Sequence, residues 1–180
     1  AGGQITAAPI VDGNRVYVGS WDKHVYALDA DDNGAVIWKV NTGDIISATP
    51  VLSGGTLYVT TRKGAVYALD AETGAGKWDR PTGGSGGLSP AIHGGILFME
   101  GDRKLLAYDA ATGRQLGSFP SARIKTLPIA VGDRFYYVQY DDAAGVDELC
   151  AFEIRHGLSQ GKLRLILPRW GIPLANEQIE

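Results

Sequence analysis

The residues with the clearest chemical potential are a run of oxygen donors, Asp29-Ala30-Asp31-Asp32-Asn33-Gly34. Side-chain oxygens at its first, third and fifth positions and glycine at its sixth reproduce the first half of a calcium loop. The twelfth position is Val40, where such a loop needs a bidentate carboxylate. Asp29, Asp31 and Asn33 are therefore an incomplete candidate metal set, and the same stretch also reads as an acidic hairpin turn. Ser20-Trp21-Asp22-Lys23 matches a serine-hydrolase spacing without the partner motifs of that class. His24, His93 and His156 are too far apart in sequence for a two-histidine metal spacing. Gly83-Gly84-Ser85-Gly86-Gly87 precedes a strand pattern and lacks a following Lys-Ser/Thr, so it reads as a link rather than a phosphate cradle. No catalytic constellation emerges.

What would have to position these residues is set by composition. The chain has 180 residues, 44% hydrophobic and 21% charged, which suits one globular core. No apolar run is long enough to span a membrane as a helix. Its net charge of −3 argues against binding nucleic acid through phosphate neutralisation. Cys150 is the single cysteine, which excludes an internal disulfide. Twenty-five glycines among apolar and aromatic residues point to short strands joined by tight turns.

Those strands repeat. Pro9, Pro50, Pro90 and Pro128 each open a short apolar segment, at spacings of 41, 40 and 38 residues. Each segment is followed by a glycine turn and a β-branched or aromatic run. A second run follows and ends on Asp29, Asp70, Asp109 or Glu153, spaced 41, 39 and 44 apart. Four strands per period of about 40 residues is the pattern of a β-propeller. The expected blades cover about 4–43, 44–84, 85–122 and 123–167, with 168–180 as a C-terminal tail in which prolines break any strand. The chain is thus expected to be all-β, built of four-stranded antiparallel blades, as a four-bladed ring or half of an eight-bladed one. Starting at a repeat boundary, it also reads as a processed or excised piece.

Within the repeats, Ala68-Leu69-Asp70-Ala71-Glu72-Thr73-Gly74-Ala75-Gly76-Lys77-Trp78 resembles the tryptophan-docking motif of the pyrroloquinoline-quinone (PQQ)-like propeller family. A second copy carries Ala27, Asp29, Gly34 and Trp38, and a third Ala107, Asp109, Thr112 and Gly113, with Leu116 near the tryptophan position. The fourth keeps Ala151, Glu153 and Gly157. In physical terms the alanine leaves room for an indole, Thr-Gly or Asn-Gly makes the turn, and the aspartate accepts from turn amides. Ala27, Asp29, Gly34, Trp38, Ala68, Asp70, Thr73, Gly74 and Trp78 are accordingly structural expectations, as are the third-repeat residues.

The resemblance implies a non-catalytic scaffold or extracytoplasmic sensor, similar to the family's non-enzymatic members such as outer-membrane assembly lipoproteins, located in the periplasm or secreted. It also implies an alternative, a fragment of a PQQ-dependent dehydrogenase; a small-ligand or calcium-binding propeller is a third reading. Those dehydrogenases use an aspartate base, PQQ and calcium on the axis of eight blades, and in many members two adjacent cysteines. A lone Cys150 cannot supply that cysteine pair, and no base or calcium ligand can be assigned here, so no cofactor is expected. The expected partner is another protein or a second copy of this chain.

Charge sorts by turn. Turns between second and third strands carry Lys23, Arg62, Lys63, Arg103 and Lys104, whereas turns between third and fourth strands are acidic. The first three blades are expected to present one cationic and one anionic face, a field that would steer a partner. In the fourth repeat Asp141 to Glu148 reads as a longer, acidic connection. Tyr140, Asp141 and Asp142 there are candidate contacts.

Overall fold

The computed structural model describes residues 1–84, 87–120, 123–126, 129–131, 134–143, 145–154, 165–166 and 172–173. Among these residues, eighteen strands make four antiparallel sheets. The first contains β1 (Ile10–Asp12), β2 (Arg15–Gly19), β3 (His24–Asp29) and β4 (Ala35–Asn41) in that order. The second runs β5 (Val51–Ser53), β6 (Thr56–Thr60), β7 (Ala65–Asp70) and β8 (Gly76–Pro81). The third runs β9 (Ala91–His93), β10 (Ile96–Gly101), β11 (Lys104–Asp109) and β12 (Gln115–Pro120). The first strand of each stays short because Pro9, Pro50 or Pro90 stands just ahead of it and cannot donate to a ladder.

The fourth sheet departs from this plan at both edges. Its centre is β15 (Arg134–Asp141) against β16 (Val146–Ile154), while β13 (Arg123–Ile124) and β14 (Ile129–Val131) both pair with β15. On the other side β17 (Leu165–Ile166) and β18 (Ile172–Pro173) both pair with β16. Two differences from the sequence reading follow. Ile172–Pro173, expected in a free tail, adds to the outer edge of this sheet. The stretch from Asp141 to Glu148, expected as a long loop, is instead taken up by longer strands, with Gln139 opposite Glu148 and Asp141 opposite Val146. The chain turns only beyond Asp141, where Gly145 supplies the left-handed backbone (φ 72°), so the ladder continues through the acidic residues. Pro128, His156, Gly157 and the Ser85-Gly86 part of the glycine run lie outside the described residues.

Side chains alternate between the two faces of each sheet, and the sheets stack in chain order. Tyr17, Val25 and Ala27 of the first meet Leu57, Val59 and Leu69 of the second. Tyr58, Val66 and Ala68 of the second meet Leu97, Met99, Leu106 and Tyr108 of the third. Phe98, Leu105 and Ala107 of the third meet Ile124 and Tyr137 of the fourth. The second and third sheets thus each receive their predecessor on one face and send the other face forward. Among the described residues no core cluster joins the first sheet to the fourth. No helix of the described residues is long and apolar enough to cross a membrane.

Candidate functional site

Two sets of residues stand out: the contacts by which one sheet seats on the next, and the row of hairpin tips along one rim. The seats are built from backbone carbonyls. Trp38 lies opposite Ala27 across the sheet, at a bulge between Ala27 and Leu28. Its indole N–H donates to the Ala71 carbonyl at 3.1 Å, and the Tyr17 hydroxyl donates to the same oxygen at 3.0 Å. One sheet further, Trp78 stands opposite Ala68 at the same kind of bulge. Trp78 and Tyr58 both donate to the Ala110 carbonyl at 3.0 Å. Each indole lies against a glycine of the receiving turn. A Cβ on Gly74 would approach Trp38 to 2.8 Å, and one on Gly113 would approach Trp78 to 2.6 Å. In the third sheet Gly117 takes the position opposite Ala107, and Leu116 packs at the interface without a polar donor.

The acidic turn residues hold these seats. Asp70 Oδ1 accepts from the Glu72 and Thr73 amides and the Thr73 hydroxyl. The Thr73 amide and hydroxyl, with Lys77 at 3.3 Å, hold the Asp70 carboxyl below its ordinary range. Asp109 is held low in the same way by the Thr112 hydroxyl and amide. Asp29 is the counterpart in the first sheet, accepting from the Asp31 amide at 2.9 Å and from the Asn14 side-chain amide at 3.4 Å. In all three turns a glycine amide closes on the acidic residue's carbonyl, Gly34 on Asp29, Gly74 on Asp70 and Gly113 on Asp109, but the first turn is one residue longer and lacks the threonine donors. Among the described residues no group of three or more His, Cys, Asp or Glu is placed to hold a metal ion.

Glycine at these turns answers two requirements that can be separated. Gly34 and Gly74 both have φ of +75°, yet nothing lies within 4 Å of a Cβ built on Gly34. Alanine at either position carries a left-handed backbone cost of about 1 kcal/mol. At Gly74 the clash with Trp38 adds about 1–3 kcal/mol of overpacking. Urea unfolding of Gly74→Ala should therefore show a clearly lower midpoint than that of Gly34→Ala. Equal losses would mean that the indole moves aside freely.

The rim comprises the turns β2–β3, β6–β7, β10–β11 and β15–β16. Neighbouring tips touch: the Arg62 guanidinium lies 5.9 Å from the Trp21 ring, and Arg103 pairs with Asp142 at 3.4 Å. Lys23, Arg62, Lys63, Arg103, Lys104 and Asp142 are exposed. Tyr140 is half-buried, with Lys125 5.4 Å above its ring. Asp141 is described only through its backbone, paired with Val146. The residue closing each turn before the third strand has a left-handed backbone: Lys23 (φ 72°), Gly64 (φ 80°) and Arg103 (φ 49°).

Carboxylates interleave with these cations, which the sorting of charges by turn overlooked. Asp44 accepts from the Lys63 amide. Asp22 sits beneath the first tip and accepts from the Tyr26 hydroxyl and the Gly2 amide, both at 2.6 Å, and from the His24 amide at 3.0 Å. Burial works to raise the Asp22 pKa, but the donors outweigh it and lower it from 3.8 to about 2. The opposite rim is also mixed, with Glu72 3.9 Å from Arg15 and Asp70 bound to Lys77.

Sheets of this kind, stacked face to face with a recurring bulge and turn, define a β-propeller of PQQ-like repeats. The family model described as Outer membrane protein assembly factor BamB matches residues 22–157, and the chain belongs to that family. No curated protein sequence matches the chain. Among solved structures, it is similar to BamB from Moraxella catarrhalis at 25% identity and a TM-score of 0.69, covering 85% of this chain and 48% of that one. It is similar in fold to the quinohemoprotein alcohol dehydrogenase of Comamonas testosteroni at 18% identity and a TM-score of 0.70, covering 90% and 34%. A third likeness is to quinohemoprotein alcohol dehydrogenase ADHIIG from Pseudomonas putida HK5, at 19% identity and a TM-score of 0.58, covering 81% and 31%. The chain therefore spans about half the length of that BamB and about a third of each dehydrogenase.

Proposed function

We propose that this chain is a non-catalytic protein-interaction module of an outer-membrane protein assembly factor, working outside the cytoplasm. It meets its partner protein with the rim of Lys23, Arg62, Lys63, Arg103 and Lys104, flanked by Tyr140, Asp141 and Asp142. Ala27, Trp38, Ala68 and Trp78, with their acidic turns, serve the docking of sheet on sheet. The observation that carries the reading is at the tips. Lys23 and Arg103 hold left-handed backbone where the second tip has glycine, at a cost of about 1–2 kcal/mol each. Long cationic side chains kept at strained, exposed positions fit recognition better than folding. The family match to an assembly factor supports the same reading, whereas the dehydrogenase likenesses, all under 20% identity, carry the fold alone.

The test is crosslinking in a bacterium with an outer membrane, using the full chain. A photo-crosslinking amino acid in place of Lys63 or Arg103 should give an adduct with a second protein, and the same group in place of Glu72 or Arg114 should give none. Equal adducts from both rims, or none from the tips, would overturn the proposal. PQQ with calcium, added to the purified chain, should leave the quinone absorption unchanged; a saturable spectral shift would favour a cofactor-binding propeller instead.

A further inference from the structure

The hairpin tips of the rim differ in how their charges are spent. The first, Ser20-Trp21-Asp22-Lys23, sets one acid beside one lysine, and the third, Asp102-Arg103, also contains its own acid. The fourth opens on Asp142, which pairs with Arg103. The second, Thr61-Arg62-Lys63-Gly64, holds two cations and no acid. Its backbone is tied down within the chain. The Arg62 amide donates to the Ile45 carbonyl at 2.9 Å, the Lys63 amide donates to Asp44 at 2.6 Å, and the Gly64 carbonyl accepts from Thr82 at 2.8 Å. A Cβ on Gly64 would collide with the Gly84 carbonyl oxygen, so the next connecting segment passes close over the end of this tip.

Its side chains are left to solvent. Arg62 and Lys63 are exposed, and among the described residues neither side chain forms an ion pair or a hydrogen bond with the protein. The carboxylates nearest in the rim are already engaged, Asp44 by the Lys63 amide and Asp22 by Gly2, His24 and Tyr26. The connecting segment, Gly83-Gly84-Ser85-Gly86-Gly87, brings no acid. Arg62 is nevertheless oriented, since its guanidinium lies 5.9 Å from the Trp21 ring. That ring is itself held by the Thr6 hydroxyl at 3.0 Å and, through its backbone amide, by the Gln4 carbonyl at 2.9 Å. A guanidinium placed against a ring keeps its N–H edge open and has already given up part of its rotamer freedom, so ordering it in a complex costs less.

We infer that, within the protein-interaction reading proposed above and resting on it, the second tip anchors the contact and takes a carboxylate-bearing segment of the partner protein. Arg62 offers its planar fork to one carboxylate and Lys63 a point charge to the next. Trp21 flanks both with aromatic surface, and tryptophan with arginine is the pairing that most often dominates an interface. Arg103 contributes less, because Asp142 already takes up its charge. An anionic lipid surface fits this rim poorly. Exposed Asp102 and Asp142 on the neighbouring tips would be repelled by it, whereas an acidic segment can address the second tip alone.

The experiment is fluorescence anisotropy on the full 180-residue chain with a labelled synthetic peptide alternating glutamate with serine, and with its glutamine counterpart. The glutamate peptide should bind, the glutamine peptide should not, and added salt should weaken binding. Arg62→Gln and Lys63→Gln should each weaken it about fivefold, and Arg103→Gln about twofold. Asp142→Asn should tighten it about twofold by releasing Arg103. Arg114→Gln removes the same charge from the opposite rim and should leave it unchanged. All five side chains are exposed, so each variant should keep the strand circular dichroism of the wild type. Failure of the glutamate peptide to bind, equal losses from Arg62→Gln and Arg114→Gln, or binding to phosphatidylglycerol vesicles in preference to the peptide would each overturn the inference. Crosslinks from Lys63 in the cell without peptide binding would leave the interaction surface standing and refute only its acidic partner; the absence of both would refute the surface itself.

Discussion

Replacing Trp78 with alanine should cost about 3 kcal/mol and lower the melting temperature by about 10 °C. The indole fills the junction of the second and third sheets: Tyr58 lies 5.8 Å away by ring centroid, the Arg80 guanidinium 6.0 Å away, and Gly113 beneath it. Removing it leaves a void between two sheets that cannot collapse together, since the bulge at Ala68 and the Gly113 turn set their separation. Trp78→Phe separates the components. It keeps the six-membered ring but loses the pyrrole part of the indole and the hydrogen bond to the Ala110 carbonyl, which still accepts from Tyr58, so its cost should be about 1–2 kcal/mol, below that of alanine. In a stack where each unit touches only its neighbours, weakening one junction also divides the array. Urea unfolding of Trp78→Ala should therefore become broader or biphasic, with the first two sheets separating from the last two. A single sharp transition displaced by less than 1 kcal/mol would show that this junction is not set by its tryptophan.

The chemistry that repeats is local, which is why the sequence reveals it. Proline ahead of an edge strand, glycine in a tight turn and an aspartate bonding to amides two or three residues away act within a few positions. Their period of about 40 residues therefore survives in one chain. What sequence alone hides is of two kinds. The acceptors of the indole and tyrosine protons are the carbonyls of Ala71 and Ala110, and a backbone oxygen carries no residue-type signal. The edges of the fourth sheet are each made of two short segments, β13 with β14 and β17 with β18, held by pairing to long central strands rather than by propensity of their own. A signal for the longer β15–β16 hairpin was present: Tyr136, Tyr137, Val138 and Tyr140 are strand formers that carry the run past the length of its counterparts, and Gly145 supplies a turn residue beyond them. That Gly34 has open space where Gly74 carries an indole is invisible in sequence, because Asn33-Gly34 reads as the same turn whether or not an indole lies against it.

Asp22→Asn should cost about 2 kcal/mol at neutral pH, and the cost should vanish in acid. The carboxylate gathers three donors from two parts of the chain: the Gly2 amide at the N-terminal end, and the His24 amide and Tyr26 hydroxyl of β3. It thereby fastens the N-terminal segment across the first sheet, where Gln4 and Thr6 also bond to Trp21. An amide in its place presents an N–H₂ group to some of these donors and loses the charge that strengthens every bond. Because the folded-state pKa is about 2, below the ordinary 3.8, the contribution is fully present above the ordinary carboxylate value. It falls away as the pH drops through about 4 toward 2. The stability difference between wild type and Asp22→Asn, followed by urea unfolding across that interval, should shrink steadily to near zero at its acid end. A difference that stays constant would place the effect in packing rather than in the charge. Tyr26→Phe supplies the control: it removes one donor, so it should raise the Asp22 pKa and move the acid limb of the wild-type profile upward while costing only about 1 kcal/mol at neutral pH.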